Sequence, residues 1–201
     1  MTADLRLHFL GDSFTQGIGD PEYRGWVGRV LQATPGEITA FNLGIRRNTS
    51  EDVLRRCWAE VDARTAPGTD SRLVLSFGSN DAVEENGAVR VGAARCLERL
   101  DTLLTAAGHR EMRVLVVGPP PVTGAGADHL GRLLELAEEM AALCERHGVP
   151  FVPVTRALAD DPLWVAEVMA GDGAHPGADG YRQLADLVLR GGWAEWIRSD
   201  R

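Results

Sequence analysis

The chain predicts an α/β domain of the doubly wound class, a five-stranded parallel sheet with helices on both faces. Three observations point there. Short apolar runs alternate with longer amphipathic stretches from end to end. The run Val114 to Val117 is apolar at every position, as expected of a strand covered on both sides. No composition shift, low-complexity tract or fixed-period repeat divides the 201 residues, so a single domain over 1–201 is expected. Right-handed crossovers then build a sheet whose ligands bind beyond the carboxyl ends of its strands.

The elements follow in order. Leu5 to Leu10, Ile38 to Leu43, Leu73 to Phe77, Val114 to Val117 and Phe151 to Val154 read as strands. Pro153 lacks an N–H to give to a ladder, which puts the fifth strand at an edge. Gly25 to Gln32 reads as a brief helix. Ser50 to Arg64 begins with Thr49-Ser50-Glu51-Asp52, a cap with acid in the first turn. Val89 to Ala106 is a longer helix. His129 to His147 sets Leu130, Leu133, Leu134, Ala137, Met140, Ala141 and Cys144 on one face before Gly148 stops it. Ala178 to Leu189 is the last long helix, ahead of a tail with Trp193 and Trp196.

Charge and cysteine usage exclude several classes. The net charge of −8 is unsuited to a phosphate backbone, and the pairs Arg46-Arg47 and Arg55-Arg56 are too short for a nucleic-acid stripe. No stretch approaches the roughly 18 apolar residues of a membrane span. The start MTADLRLHFLGDS lacks the basic, apolar and small-residue parts of a secretory signal. Cys57, Cys96 and Cys144 are odd in number and widely spaced, and read as buried small hydrophobes. A reducing, cytoplasmic setting is expected.

Active-site residues of such a sheet should follow strands. Gly11-Asp12-Ser13 follows the first, Gly44 ends the segment after the second, and Gly78-Ser79-Asn80-Asp81 follows the third. The loop before the last long helix carries Asp172-Gly173-Ala174-His175-Pro176. These pieces supply the parts of acyl transfer. A serine hydroxyl needs a base to become a nucleophile, and histidine serves as that base. A carboxylate on the other ring nitrogen fixes the tautomer and stabilises the imidazolium. Asp172, three residues before His175, could reach back to do so. Ser13 and Gly44 backbone N–H groups with the Asn80 amide could hold the oxyanion, each such donor being worth about 3 kcal/mol of barrier.

GDSFTQGIG, NLGIRRNT, GSND and DGAHP together resemble, in order, the four sequence blocks of the SGNH hydrolases, the GDSL lipase/esterase family. The resemblance spans Gly11 to Pro176 and implies a three-layer α/β/α, flavodoxin-like fold. It also implies Ser13, Asp172 and His175 as a catalytic triad, with Gly44 and Asn80 in the oxyanion hole. The expected activity is hydrolysis of small or short-chain acyl esters. A thioesterase, sugar deacetylase or acyltransferase could use the same residues, and a non-catalytic binding module would have no need for all of them. The second block departs from the family where Arg47 replaces a common glycine, so the loop can take another path. Arg46 and Arg47 would place positive charge at the pocket mouth and favour polar or anionic acyl groups. Trp164, between the fifth strand and the Asp172 loop, is a candidate wall of the acyl pocket beside its ordinary reading as core. The segment Pro119 to Asp128 falls on the same rim and would shape specificity.

The remaining polar residues have ordinary expectations. Asp12, Asp81 and Asn42 would bond to loop backbone and hold the turns. His8 reads as a packed strand residue, and His109, His129 and His147 as helix-end residues. Gly11, Gly17 and Gly19 do not have nucleotide-loop spacing. No His/Cys/Asp/Glu cluster has ligand spacing. The expected partner is therefore a small-molecule ester, with no metal and no cofactor.

Overall fold

The computed structural model describes residues 4–198, so the expected domain bounds at 1 and 201 lie outside the described residues. In chain order the strands are β1 (Leu5–Gly11), β2 (Thr39–Gly44), β3 (Asp70–Ser76), the short pair β4 (Glu84–Glu85) and β5 (Ala88–Val89), then β6 (Arg113–Val117) and β7 (Phe151–Val152). The helices are α1 (Ser13–Gln16), α2 (Gly25–Ala33), α3 (Ser50–Asp62), α4 (Ala93–His109), α5 (Ala127–Arg146), α6 (Thr155–Ala159), α7 (Pro162–Ala170), α8 (Ala178–Val188) and α9 (Ala194–Arg198).

Five strands pair in parallel in the order β2-β1-β3-β6-β7, the flavodoxin-like arrangement with β7 at an edge. Side-chain direction alternates along each strand and sorts the core into two layers. Leu7, Phe9, Val74, Leu115 and Val117 face α2, α7 and α8, with Trp26, Trp164, Tyr181 and Trp193 filling that side. Leu10, Leu73, Leu75, Val114 and Val116 face α3, α4 and α5. All three cysteines lie in this second layer as free, buried thiols. The order of pairing reverses between β1 and β3, so their carboxyl ends frame the crevice where a ligand can enter.

Several elements differ from expectation. The helix expected from Val89 begins instead at Ala93, because Asn86 and Gly87 take left-handed conformations (φ 55° and 77°) and fold Val89 back onto Glu84. α5 is present, but Leu136 and Leu143 are buried where Leu134 and Ala141 were expected, so its apolar stripe is rotated toward them. Between β7 and the Asp172 loop, where no element was read, the chain holds α6 and α7, the latter started by the Asp161 carboxylate on the Leu163 N–H with Pro162 at the first position. The α3 cap is as read: the Thr49 N–H and hydroxyl both donate to Asp52 Oδ2 at 3.0 Å. No described helix is long and apolar enough to cross a membrane.

His8 sits fully buried on β1, its ring stacked on Phe41 with centroids 5.3 Å apart. Neither ring nitrogen has a hydrogen-bond partner among the described residues. Burial, and then the charges of Arg64 and Arg6, lower its pKa from the usual 6.5 to about 4. Between those values the unfolded chain binds more protons than the folded one, so stability falls as pH drops from about 6.5 to about 4. His8→Phe is expected to flatten that limb of a melting-temperature profile relative to wild type. Parallel acid limbs in the two proteins would rule out His8 as the source.

Candidate active site

Ser13 is the first residue of α1, directly after β1. The turn is possible because Gly11 has no side chain: a Cβ there would lie 2.1 Å from the Ser76 carbonyl and 2.2 Å from Thr15 Oγ1. The Asp12 Oδ1 accepts the Phe14 N–H at 2.9 Å and caps the helix, and Gly17 closes it in a left-handed conformation. Gly19 (φ 88°) lets the following loop pass beside His175, since a Cβ would meet the Pro176 carbonyl at 2.7 Å. The Tyr181 hydroxyl donates to the Ile18 carbonyl at 2.7 Å and ties this loop to α8.

His175 is buried at the far side of the same opening. Its Nδ1 lies 2.8 Å from Asp172 Oδ2, while Asp172 Oδ1 accepts the N–H groups of His175 (2.9 Å) and Ala174 (3.0 Å). An ionised carboxylate can only accept, so Nδ1 carries the proton, and in the neutral ring the lone pair is on Nε2. Partial burial would raise the Asp172 pKa, but the hydrogen bonds from His175 and Ala174 overcome it and hold the carboxyl at about 2. The Phe14 ring lies 5.3 Å from the imidazole and stacks on Trp164 behind it at 6.0 Å.

Asn80 follows β3. Its Nδ2 donates to Asp12 Oδ2 at 3.2 Å and to the Asn48 carbonyl at 3.1 Å, which joins three loops. Arg56 reinforces the junction from α3, giving Nε to Asn48 Oδ1 at 2.8 Å and Nη2 to the Gly11 carbonyl at 2.9 Å. Asp12 is fully buried below, and that burial, with the charge of Asp81, lifts its pKa to about 7 against the Phe14 and Asn80 hydrogen bonds. Asp81 accepts from the Ser50 N–H at 3.0 Å and from the Ser50 hydroxyl, pinning α3 to the Asn80 loop. Asp12 and Asp81 thus bind backbone N–H groups as expected, but at the first turns of α1 and α3 and not within loops.

Ser13, Asn80, Asp172 and His175 line one cavity of about 260 Å³, together with Phe14, Val83, Val122, Ala174, Arg46, Arg47, Arg90 and Glu85. A larger groove of about 840 Å³ opens at the amino ends of β6 and β7 around Val114, Pro150 and Trp196, and contains none of the expected site residues.

Two expectations change. Gly44 is not on the cavity wall, and its N–H is donated to Asn42 Oδ1 at 3.0 Å. Its lack of a side chain has a steric reason: a Cβ would stand 2.2 Å from the Gln16 N, so α1 could not lie against β2. The turn Ile45 to Asn48 instead brings Arg47 to the cavity, in a left-handed conformation (φ 69°) that glycine would take freely. The Arg47 N–H has no partner among the described residues. Trp164 is fully buried behind Phe14, its indole N–H on the Pro121 carbonyl at 3.3 Å, and supports the wall without lining it. Arg46 and Arg47 do reach the cavity, and Val122 brings in the Pro119 to Asp128 segment. Arg90, Glu85 and Arg56 were not singled out, because only the folded loops bring them to this rim; the Asn86-Gly87 turn was the one signal for the first two.

The fold has close solved counterparts. A lipase/acylhydrolase from Enterococcus faecalis superposes with a TM-score of 0.74 at 25% identity, covering 95% of this chain and 96% of the other. An acetylxylan esterase from Geobacillus stearothermophilus gives 0.78 at 22% identity over 98% of each chain. A G-D-S-L family protein from Veillonella parvula gives 0.71 at 20% identity, over 92% and 97%. A search of curated proteins finds no match. The sequence model of the GDSL-like Lipase/Acylhydrolase family matches residues 9–183.

Proposed function

Because the chain belongs to the GDSL-like lipase/acylhydrolase family, we propose that it is a serine esterase cleaving small or short-chain acyl esters through an acyl-enzyme on Ser13. The observation that carries this reading is the sharing of one cavity by Ser13 and a His175 whose Nδ1 is held by Asp172 at 2.8 Å. Nε2 takes the Ser13 proton as Oγ attacks the ester carbonyl, and the imidazolium is stabilised by Asp172. His175 then returns the proton to the departing alcohol. Water, activated by the same nitrogen, releases the acid and regenerates Ser13. A cavity near 260 Å³ suits a short acyl group. The free buried thiols support a reducing compartment.

The oxyanion would be held by the N–H of Ser13, a helix-start donor without an intrahelical acceptor, by the N–H of Arg47 in place of Gly44, and by Asn80 Nδ2 once one of its two hydrogens turns from its Asp12 or Asn48 acceptor to the substrate oxygen. Asn80→Ala is expected to lower kcat about 10²–10³-fold with KM little changed. An unchanged kcat would remove Asn80 from the hole.

A fluorophosphonate probe tests the whole reading. The folded protein should be labelled at one residue, and peptide mass spectrometry should place the adduct on Ser13. Folded protein that stays unlabelled, and that hydrolyses no member of a panel of short acyl esters, thioesters and acetylated sugars, would mean a binding module.

A further inference from the structure

We propose that the cavity accepts an ester carrying a second, anionic group, which Arg46, Arg47 and Arg90 hold while Ser13 attacks. This rests on the reading of Ser13 as the nucleophile and adds the substrate class to it. Three arginines line a cavity of about 260 Å³, in a chain whose net charge is −8. Such a protein repels anions in general, so a cationic wall around one small opening concentrates them there.

The carboxylates at the wall do not use up this charge. Asp172 is committed to His175 and two backbone N–H groups, and Arg46 approaches its Oδ2 only to 3.6 Å. The Arg46 side chain also remains 57% exposed. Glu85 is the one other acid on the wall, and it spans the other two cations, with Oε1 2.6 Å from Arg47 and Oε2 3.9 Å from Arg90. Two guanidinium groups offer about ten N–H donors, more than one carboxylate can accept. Glu85 therefore occupies the place of a ligand carboxylate without saturating the site.

The geometry is held in place. Arg90 is mostly buried and gives Nη2 to the Arg47 carbonyl at 3.0 Å, and Glu85 stands on the β4–β5 hairpin set by Asn86-Gly87. These cations also have a chemical disadvantage for a neutral ester. Positive charge near His175 opposes the imidazolium that forms during attack, and Arg46 competes for the carboxylate that stabilises it. A substrate anion seated between the arginines removes that disadvantage.

Paired esters test this with the reacting bond held constant. The first arm compares a 4-nitrophenyl hemiglutarate with the valerate, and the second an acetyl ester of 4-hydroxybenzoate with phenyl acetate. Wild type is expected to favour the anionic member of at least one pair by about tenfold in kcat/KM, less at high salt. Arg46→Gln and Arg90→Gln should each lower that ratio several-fold. Glu85→Gln should raise it, an opposite sign that general loosening would not produce. Each ratio is internal to one variant, and melting temperatures identify any that fail to fold. Hydrolysis of neutral esters with no anionic preference in either arm overturns the inference and leaves Ser13 in place. A preference unmoved by all three substitutions overturns it as well. Loss of every activity together with the fluorophosphonate adduct instead defeats the esterase reading itself.

Discussion

Ser13→Ala is expected to lower kcat by about 10⁴–10⁶-fold on every ester that the wild type accepts, with the fold intact. The hydroxyl is the only group at this position that can form the acyl-enzyme. Without it, only water held near His175 and the oxyanion donors can act, which leaves a residual rate of about 10³-fold over solution. Ser13 begins α1, but the cap belongs to Asp12 and the turn to Gly11, so removing Oγ leaves both in place. Melting temperature should stay within a few degrees, and burst-phase release of the alcohol should vanish. A variant that hydrolyses at the wild-type rate would place the nucleophile elsewhere.

Asp172→Asn is the second large effect, a loss of about 10⁴-fold in kcat. The wild-type carboxylate accepts from the Nδ1 of His175 at 2.8 Å and from the two backbone N–H groups at 2.9 Å and 3.0 Å. An asparagine keeps one oxygen for the backbone and turns its amide donor toward Nδ1. The imidazole then carries its proton on Nε2, where it cannot take one from Ser13. The loop should persist, so KM should change little while kcat falls. The wild-type carboxyl, held near pKa 2, stays ionised through the whole working range, and an acid limb of activity cannot be assigned to it. Near-normal kcat in Asp172→Asn would mean that another group orients His175.

The parts of the fold that were legible in the sequence are those whose signal is local. Val114 to Val117 and Leu73 to Phe77 announce buried strands by composition, and Thr49 to Asp52 announces a cap, because each depends on neighbours a few residues away. α1 has only four residues and follows from the Asp12 cap and the packing of β2, so no periodicity marks it. α7 is apolar on nearly all sides, which removes the amphipathic pattern, although Asp161-Pro162 carried its start signal. Ser13, Asn80, Asp172 and His175, which share one cavity, were legible as candidates because they lie within recognisable blocks, the first two just after strands and the last two in the loop before α8. That Arg47 and not Gly44 reaches the cavity was not legible, since it depends on the path of the Ile45 to Asn48 turn. Arg56 and Arg90 reach the site from α3 and from behind the β4–β5 hairpin, and single-sequence spacing does not encode such distances.

The three thiols in the layer beneath α3, α4 and α5 give the protein a built-in gauge of its own opening. Burial pushes Cys57 and Cys144 up to about 12 and raises Cys96 well above the usual thiol value, so none is a thiolate while the core is closed. Alkylation by a small reagent can then proceed only through molecules that have transiently unfolded that layer, and its rate reads the opening equilibrium without any added label. A cysteine introduced at Tyr23, which is 95% exposed, would react at once and mark the folded surface, while the other three report the core from the same tube.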